Sequence, residues 1–189
     1  LRTGLHEYEF SDQKKEKWIV IDLRHRDKVL SAGFSKIGVQ QINGHRFSSS
    51  WASDQRLFFS LKTSHKIKKY FISQDSTQLI CFFDPSIKKL TLQCALSPVD
   101  EKGAENNLQE EWAGHDFQQT EFESNEAWEK ILTRIKIIDK NWTKNQFAIF
   151  YTALYHVCIH PSLYQDADGR YRGMDQKIHV GDKRHPRYT

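Results

Sequence analysis

The sequence predicts a β-plus-α chain in which an antiparallel β-sandwich is followed by helices and then by a loop. Two changes in the pattern of apolar residues predict this order. Up to about Ser97, several segments alternate apolar and polar residues with a period of two, as strands with one face in water do. After Ser97 the apolar residues recur at helical intervals, and after Pro161 no periodicity remains.

The first half contains segments typical of short strands, with no helical pattern between them. They cover residues 5–10, 17–23, 34–42, 46–52, 56–64, 69–73, 78–83 and 89–97. The dipeptides Asn43-Gly44 and Asp84-Pro85 are predicted to form hairpin turns. Many short strands without intervening helices favour an antiparallel sandwich.

The second half is predicted to be helical up to Pro161. Residues 100–112 are acidic and rich in amides, and we interpret them as a linker or a short exposed helix. A helix is then predicted after Ser124, its N-cap, because apolar residues follow at helical spacing. A second helix begins at Thr143, which forms a capping-box pattern with Gln146, and ends before Pro161. Residues 162–189 are predicted to be an extended loop.

Composition indicates a globular chain with no membrane span. Of 189 residues, 38% are hydrophobic and 28% are charged, and no apolar run approaches the roughly 20 residues that cross a bilayer. The net charge of +4 is interspersed, so we interpret the basic clusters at 14–17 and 66–69 as solvated turns and expect no nucleic-acid partner. The cysteines lie in apolar surroundings, which favours buried thiols, with a Cys81–Cys94 bridge as the alternative; the third is Cys158.

The sequence is expected to be a piece of a longer protein. Its only methionine is Met174. A loop longer than about 12 to 15 residues is also uncommon in a compact domain.

The candidate site lies in the predicted loop after the second helix. Charged residues are concentrated between residues 166 and 175, with Tyr171 and two glycines among them: Asp166, Asp168, Arg170, Arg172 and Asp175. Such a loop is typical of a site for a polar ligand, and the alternative is a surface loop held by Asp–Arg pairs. Arginine neighbours favour ionised carboxylates, which are poor general acids, so we predict no catalytic residue among them.

No metal site is predicted in this chain. Asp166 and Asp168 are spaced as in a calcium loop, but the residue at the third ligand position is Arg170. His156 and His160 have the spacing of a two-histidine site, but no third ligand completes it nearby.

Two motifs resemble the start of the catalytic domain of family 92 glycoside hydrolases. They are FYTALYH at 150–156 and DADGRYRGMDQKIH at 166–179. Residues 3–10, 22–30 and 46–64 resemble successive blocks of that family's N-terminal β-sandwich.

The resemblance implies an N-terminal sandwich, linker helices and the truncated beginning of an (α/α)₆ barrel. Residues 1–98 would belong to the sandwich, 99–140 to the linker and 141–189 to the incomplete catalytic domain. The whole protein would be a secreted or periplasmic, calcium-dependent, inverting α-mannosidase that removes terminal mannose from N-glycans or mannan. Its catalytic carboxylates and calcium ligands would lie outside this chain, so the chain alone is expected to be inactive. The five charged loop residues would bind substrate, mainly by organising the loop.

Two other functions remain open. A stand-alone carbohydrate-binding β-module would expose planar aromatics such as Trp18 or Trp51 on a sheet. A basic nucleic-acid-binding protein would cluster lysines with aromatics on one face. The helix after Thr143 is also too apolar for a helix surrounded by water, so residues 143–189 are expected to be looser than the strands.

Overall fold

The predicted order of strands and helices is confirmed. The computed structural model describes residues 2–11, 15–112, 114 and 116–188. The strands of the first half are β1 (Thr3–Glu9), β2 (Lys17–Asp22), β3 (Lys28–Ile37), β4 (Gln41–Ser49), β5 (Gln55–Thr63), β6 (Lys69–Ile72), β7 (Gln78–Phe83) and β8 (Lys89–Ser97). They are followed by α1 (Glu101–Glu111), α2 (Phe117–Leu132), α3 (Lys144–Ile159), β9 (Arg170–Arg172) and β10 (Ile178–Val180).

The first eight strands form two antiparallel sheets that pack face to face. One sheet has the order β1-β8-β5-β4-β3, and the other has the order β2-β7-β6. Along β7 and the first half of β8, alternate residues point between the sheets, as the period of two predicts. Ile42, Leu79 and Leu90 are completely buried there. Each large apolar side chain buried in this way stabilises the fold by roughly 1.5 to 3 kcal/mol.

The turn predicted at Asn43-Gly44 is wrong. Both residues lie inside β4, where Gly44 pairs with Phe34 of β3 and with Phe59 of β5. The rings of Phe34 and Phe59 meet edge to face, with centroids 6.0 Å apart, and a glycine between them leaves room for the contact. The true turn precedes it, where Gly38 N–H donates to the Gln41 carbonyl at 2.7 Å. The segment predicted as one strand over 34–42 therefore contains a turn.

A turn is present at Asp84-Pro85, but it does not close a hairpin as predicted, because β7 and β8 lie in different sheets and the turn connects one sheet to the other. The Asp84 carboxylate accepts hydrogen bonds from the Ser86 amide at 3.0 Å and from the Ser86 hydroxyl at 2.7 Å.

Helix α1 lies on the outer face of the five-stranded sheet. Its N-cap is Asp100, whose carboxylate accepts a hydrogen bond from Gly103 N–H at 2.6 Å. Ala104 and Leu108 are buried against the sheet. The prediction of a short helix is confirmed, but the helix is half-buried rather than exposed.

Helix α2 begins eight residues earlier than predicted. Its N-cap is Asp116, which accepts from Gln119 N–H at 2.9 Å, and Ser124 lies inside the helix. The polar residues of its first turns carry no apolar period, which explains the wrong boundary. Helix α3 begins at the predicted capping box of Thr143 and Gln146 and ends before Pro161.

The three cysteines are free thiols. Cys81 and Cys94 lie on β7 and β8, in different sheets, so they are not on neighbouring strands. Burial raises the pKa of each of these two thiols to about 11, which keeps them protonated and unreactive. Cys158 is exposed on α3, contrary to the prediction of a buried thiol.

The basic clusters are partly paired with carboxylates. Lys69 lies 2.6 Å from Glu16, and Lys68 lies 3.6 Å from Asp84. Lys14 lies outside the described residues. None of the helices in the described ranges is long and apolar enough to span a membrane.

Candidate functional site

The segment predicted as an extended loop contains a β-hairpin. Strands β9 and β10 pair antiparallel, with Arg172 opposite Ile178 and Arg170 opposite Val180. The prediction of an unstructured loop over 162–189 is therefore wrong for these residues. Asp166 and Asp168 lie just before the hairpin, and Asp175 lies in its turn. All five predicted site residues are thus brought together on one short structure, which we call the Arg170 hairpin (residues 166–180).

Asp166 is buried beneath the hairpin and is only 1% exposed. Its Oδ2 accepts a hydrogen bond from the Ser97 hydroxyl at 2.6 Å, and its Oδ1 accepts from the Asn107 side-chain amide at 2.8 Å. Burial raises the pKa of the Asp166 carboxyl, although these hydrogen bonds act in the opposite direction. The expectation that arginine neighbours govern this aspartate is wrong, because desolvation has the larger effect.

Arg170 joins the hairpin to the start of α1. Its Nη1 donates to Asp100 Oδ2 at 2.6 Å and its Nη2 donates to Asp100 Oδ1 at 3.2 Å. Its Nε donates to Asp168 Oδ2 at 2.7 Å. The guanidinium therefore connects two carboxylates, and its hydrogen bonds hold the pKa of Asp100 below its usual value.

Arg172 holds the hairpin through backbone carbonyls. Its Nε donates to the Pro98 carbonyl at 2.9 Å, its Nη2 to Val99 at 3.1 Å and its Nη1 to Gln176 at 2.9 Å. A planar fork with donors in several directions is the property of arginine that lysine lacks. Arg172 thus fixes the hairpin turn against the chain between β8 and α1.

Asp175 and His179 form a pair at the exposed end of the hairpin. His179 Nε2 lies 2.9 Å from Asp175 Oδ1, and the hydrogen bond lowers the pKa of Asp175. The side chains are 47% and 41% exposed, respectively. Tyr171 packs beside the imidazole, with ring centroids 5.6 Å apart. This end of the hairpin is accessible to a ligand, unlike Asp166.

The β4–β5 loop (residues 50–54) carries an exposed tryptophan. Asp54 in this loop pairs with Arg56 at 2.9 Å, and the charge of Arg172 further lowers the pKa of Asp54. Trp51 in the same loop is fully exposed. The sequence placed Trp51 only in the alternative of a binding module, because nothing local connects this loop with the hairpin.

The hydrogen bonds of these charged side chains are suited to holding the Arg170 hairpin in place rather than to acid–base catalysis. Asp166 is hydrogen-bonded through both oxygens, and Asp168 is paired with Arg170. Among the described residues, no group of three or more His, Cys, Asp or Glu side chains could hold a metal ion. The assignment of the five residues to substrate binding stays a prediction.

Family models match the chain along its whole length. The model of the glycosyl hydrolase family 92 N-terminal domain matches residues 1–127, and that of the family 92 catalytic domain matches residues 103–189. The two matches overlap in the helical region, whereas our predicted boundaries at 98 and 140 stay a prediction. No curated protein sequence matches the chain.

Solved structures show the same fold. A family GH92 α-mannosidase from Bacteroides thetaiotaomicron superposes with a TM-score of 0.83 at 23% identity, over 99% of this chain and 28% of that enzyme. A GH92 glycosyl hydrolase named ccman5 gives 0.84 at 22%, over 100% and 27%. A Bacteroides thetaiotaomicron enzyme named as an inverting GH92 mannosidase gives 0.80 at 23%, over 100% and 27%. The chain thus spans little more than a quarter of these enzymes, and on the two family matches it belongs to glycosyl hydrolase family 92.

Proposed function

We propose that the protein containing this chain is a glycosidase that removes terminal mannose from α-mannosides such as N-glycans or mannan. The observation that carries the proposal is the order of the two family matches, sandwich first and catalytic domain second. Structural relatives named as α-mannosidases support the choice of sugar, and one of them was solved with mannoimidazole. Secretion or export to the periplasm is part of the proposal, because N-glycans and mannan lie outside the cell.

Within that enzyme we assign the Arg170 hairpin to the sugar site as its support. Asp166, Asp168, Arg170 and Arg172 hold the hairpin, and Asp175 with His179 presents polar atoms at its exposed end. Trp51 offers an exposed aromatic face on the β4–β5 loop, which we assign to the same site. An apolar face beside a few fixed polar groups is typical of sites for polar organic ligands.

An inverting mechanism and calcium dependence also belong to the proposal. Inversion needs two carboxyl groups about 6.5 to 9.5 Å apart, one protonated and one activating water. The carboxylates of the hairpin are engaged in hydrogen bonds, so we place this pair outside the chain. The described residues do not fit a calcium site, since their carboxylates form no cluster of metal ligands. We therefore place the calcium ligands outside the chain too.

The test compares the 189-residue chain with the complete enzyme. We expect the complete enzyme to release mannose from an α-mannoside, to give the β-anomer first by NMR, and to lose activity in a calcium chelator. We expect the purified chain to release no mannose with or without calcium, because the catalytic pair is placed outside it. Calcium-dependent release by the chain alone would contradict this assignment. A complete enzyme without mannosidase activity would refute the proposed function.

Replacing Arg172 with alanine in the complete enzyme is expected to lower kcat/KM about tenfold while the protein stays folded. The variant loses the three donors that hold Pro98, Val99 and Gln176, and hydrogen bonds from charged groups contribute about 1.5 to 3 kcal/mol. Arg172→Lys keeps the charge but not the fork, so we expect it to be nearly as impaired. Arg170→Ala should act in the same direction. Wild-type kinetics in both alanine variants would show that the hairpin is only a surface feature.

A stand-alone carbohydrate-binding module is the second candidate. Trp18 is 54% exposed and Phe71 is 59% exposed on the outer face of the three-stranded sheet, where aromatic faces could stack on sugars. Retardation of the chain in a mannan-containing gel, lost in Trp18→Ala, would favour this function. It gives no role to α3 or to the Arg170 hairpin.

A further inference from the structure

Asn107 connects three separate parts of the chain from inside the protein. It lies on α1 and is completely buried. Its Nδ2 donates to the Leu96 carbonyl of β8 at 2.8 Å and to Asp166 Oδ1 at 2.8 Å. Its Oδ1 accepts from the Ala167 amide at 2.8 Å. A single side chain therefore ties the five-stranded sheet and α1 to the first residues of the Arg170 hairpin.

The close approach of α1 depends on a glycine one turn before Asn107. A Cβ atom at Gly103 would lie 2.6 Å from the Ser97 hydroxyl oxygen and closer still to Asp166 Oδ2. Both atoms belong to the buried hydrogen-bonded group, so neither can move without breaking a bond of 2.6 Å between them. Gly103 and Asn107 lie one turn apart on the same face of α1. Gly103 leaves room for the Asp166 carboxylate, and Asn107 donates a hydrogen bond to it.

Three residues of the hairpin attach it to this region: Asp166 bonds to Ser97 and Asn107, Arg170 bonds to Asp100, and Arg172 bonds to the carbonyls of Pro98 and Val99. The attachment through Asp166 is the most completely buried of the three. The Asp100–Arg170 pair is partly open to water, with side chains 45% and 27% exposed, so solvent screens it. The Asn107–Asp166–Ser97 group is shielded from water, where hydrogen bonds are stronger and leaving one unmade is costly. The position of the Arg170 hairpin is therefore set mainly by the buried Asn107–Asp166–Ser97 group.

We propose that Asn107 is a positioning residue for the sugar site. It touches no substrate, because it is buried, and it acts through Asp166 and Ala167 on the hairpin that carries Asp175 and His179. The consequence for activity rests on the proposed function. The effect of Asn107 on the position of the hairpin does not depend on the proposed function, and it can be measured separately.

The test exchanges the two partners of one hydrogen bond in the complete enzyme. Asn107→Asp replaces the donor to Asp166 with a carboxylate and places two carboxylates against each other. Adding Asp166→Asn restores a donor and an acceptor with the opposite polarity, while the bond to Leu96 stays lost in both variants. We expect Asn107→Asp to raise KM about tenfold or more, since a displaced site group weakens binding. We expect the double variant to recover most of this loss.

Two readouts separate positioning from mere loss of stability. A larger unfolded fraction lowers the apparent kcat but leaves KM unchanged, whereas a displaced hairpin raises KM. Amide hydrogen exchange in peptides from residues 163–182 should accelerate in Asn107→Asp and slow again in the double variant. The matched control is Asn43→Ala, which removes the part-buried bond from Asn43 to Glu105 of α1 at 2.6 Å without touching the hairpin.

The outcomes decide between the alternatives. Unchanged hairpin exchange and KM in Asn107→Asp, or no recovery in the double variant, would overturn the proposal. The same changes in Asn43→Ala would overturn it too, because any weakening of α1 would then suffice. If Asn107→Asp does not fold, recovery of folded enzyme by Asp166→Asn supports the pairing. A wild-type enzyme without mannosidase activity refutes the proposed function alone, and hairpin exchange still decides the role of Asn107.

Discussion

Replacing Gly44 with alanine is expected to destabilise the sandwich by at least about 3 kcal/mol, at the upper end of the effect of overpacking. A Cβ atom there would lie 2.6 Å from Cζ of Phe59 and even closer to the Gly33 carbonyl oxygen. The carbonyl belongs to a paired strand and cannot yield, and the Phe59 ring is packed against Phe34 in the core. Because domains are stable by only about 5 to 15 kcal/mol, little folded protein should remain under mild denaturation.

The control for this variant is Gly4→Ala in β1. A Cβ atom at Gly4 meets nothing within 4 Å, so the change should be neutral or slightly stabilising. Soluble yield and the midpoint of thermal unfolding of the two variants provide the comparison. Equal midpoints for both would show that the space between Phe34 and Phe59 is larger than the structure indicates.

Local patterns predicted the fold where one period extends over a whole element. The alternation in β7 places Leu79, Cys81 and Phe83 in the core, and the capping box at Thr143 marks the start of α3. The prediction of a turn at Asn43-Gly44 was wrong because glycine is used both in turns and where atoms of neighbouring strands approach closely. Asn-Gly is a strong turn pattern, but Gly44 lies inside β4. There it leaves room for the Phe59 ring of β5 and the Gly33 carbonyl of β3.

The sequence showed the cluster of charged residues at 166–175, but it did not show the hairpin on which they lie. Strands β9 and β10 have three residues each, too short for a periodic pattern. What holds them comes from far along the chain: Asp100 is 70 residues from Arg170, and Asn107 is 59 residues from Asp166. No local pattern shows which distant side chain meets which. Asn107 was missed because an amide in a polar segment is typical of an exposed helix, and only its burial distinguishes it.

Helix α3 is expected to be the least protected regular element of the isolated chain in amide hydrogen exchange. None of its residues is buried, and Ile149 and Val157 are 70% and 73% exposed. Its contacts are peripheral: Tyr155 packs on Trp128 with centroids 4.6 Å apart, and the Tyr151 hydroxyl donates to the Ile135 carbonyl at 3.0 Å. A helix this apolar is suited to a position among other helices, and it lies in the region that the catalytic-domain model matches.

The size of the effect follows from the burial that α3 lacks. Each uncovered large side chain forgoes roughly 1.5 to 3 kcal/mol, and each 1.4 kcal/mol is about a tenfold change in an equilibrium. Amides of α3 should therefore exchange at least about a hundredfold faster than those in the middle of β5 and β8.

The sequence led us to expect that the whole segment 143–189 is loose. From the structure, we expect this only of α3 and not of the Arg170 hairpin. The Arg170 hairpin is fastened to Ser97, Asp100 and Asn107, so its amides should be protected although they follow α3 in the chain. Exchange measured by mass spectrometry on peptides from 144–159 and from 166–180 separates the two regions. Protection of α3 equal to that of β5 would mean that its present contacts suffice and that the chain is a self-sufficient domain. Fast exchange in both regions would mean that the buried group around Asp166 does not hold the hairpin in the isolated chain.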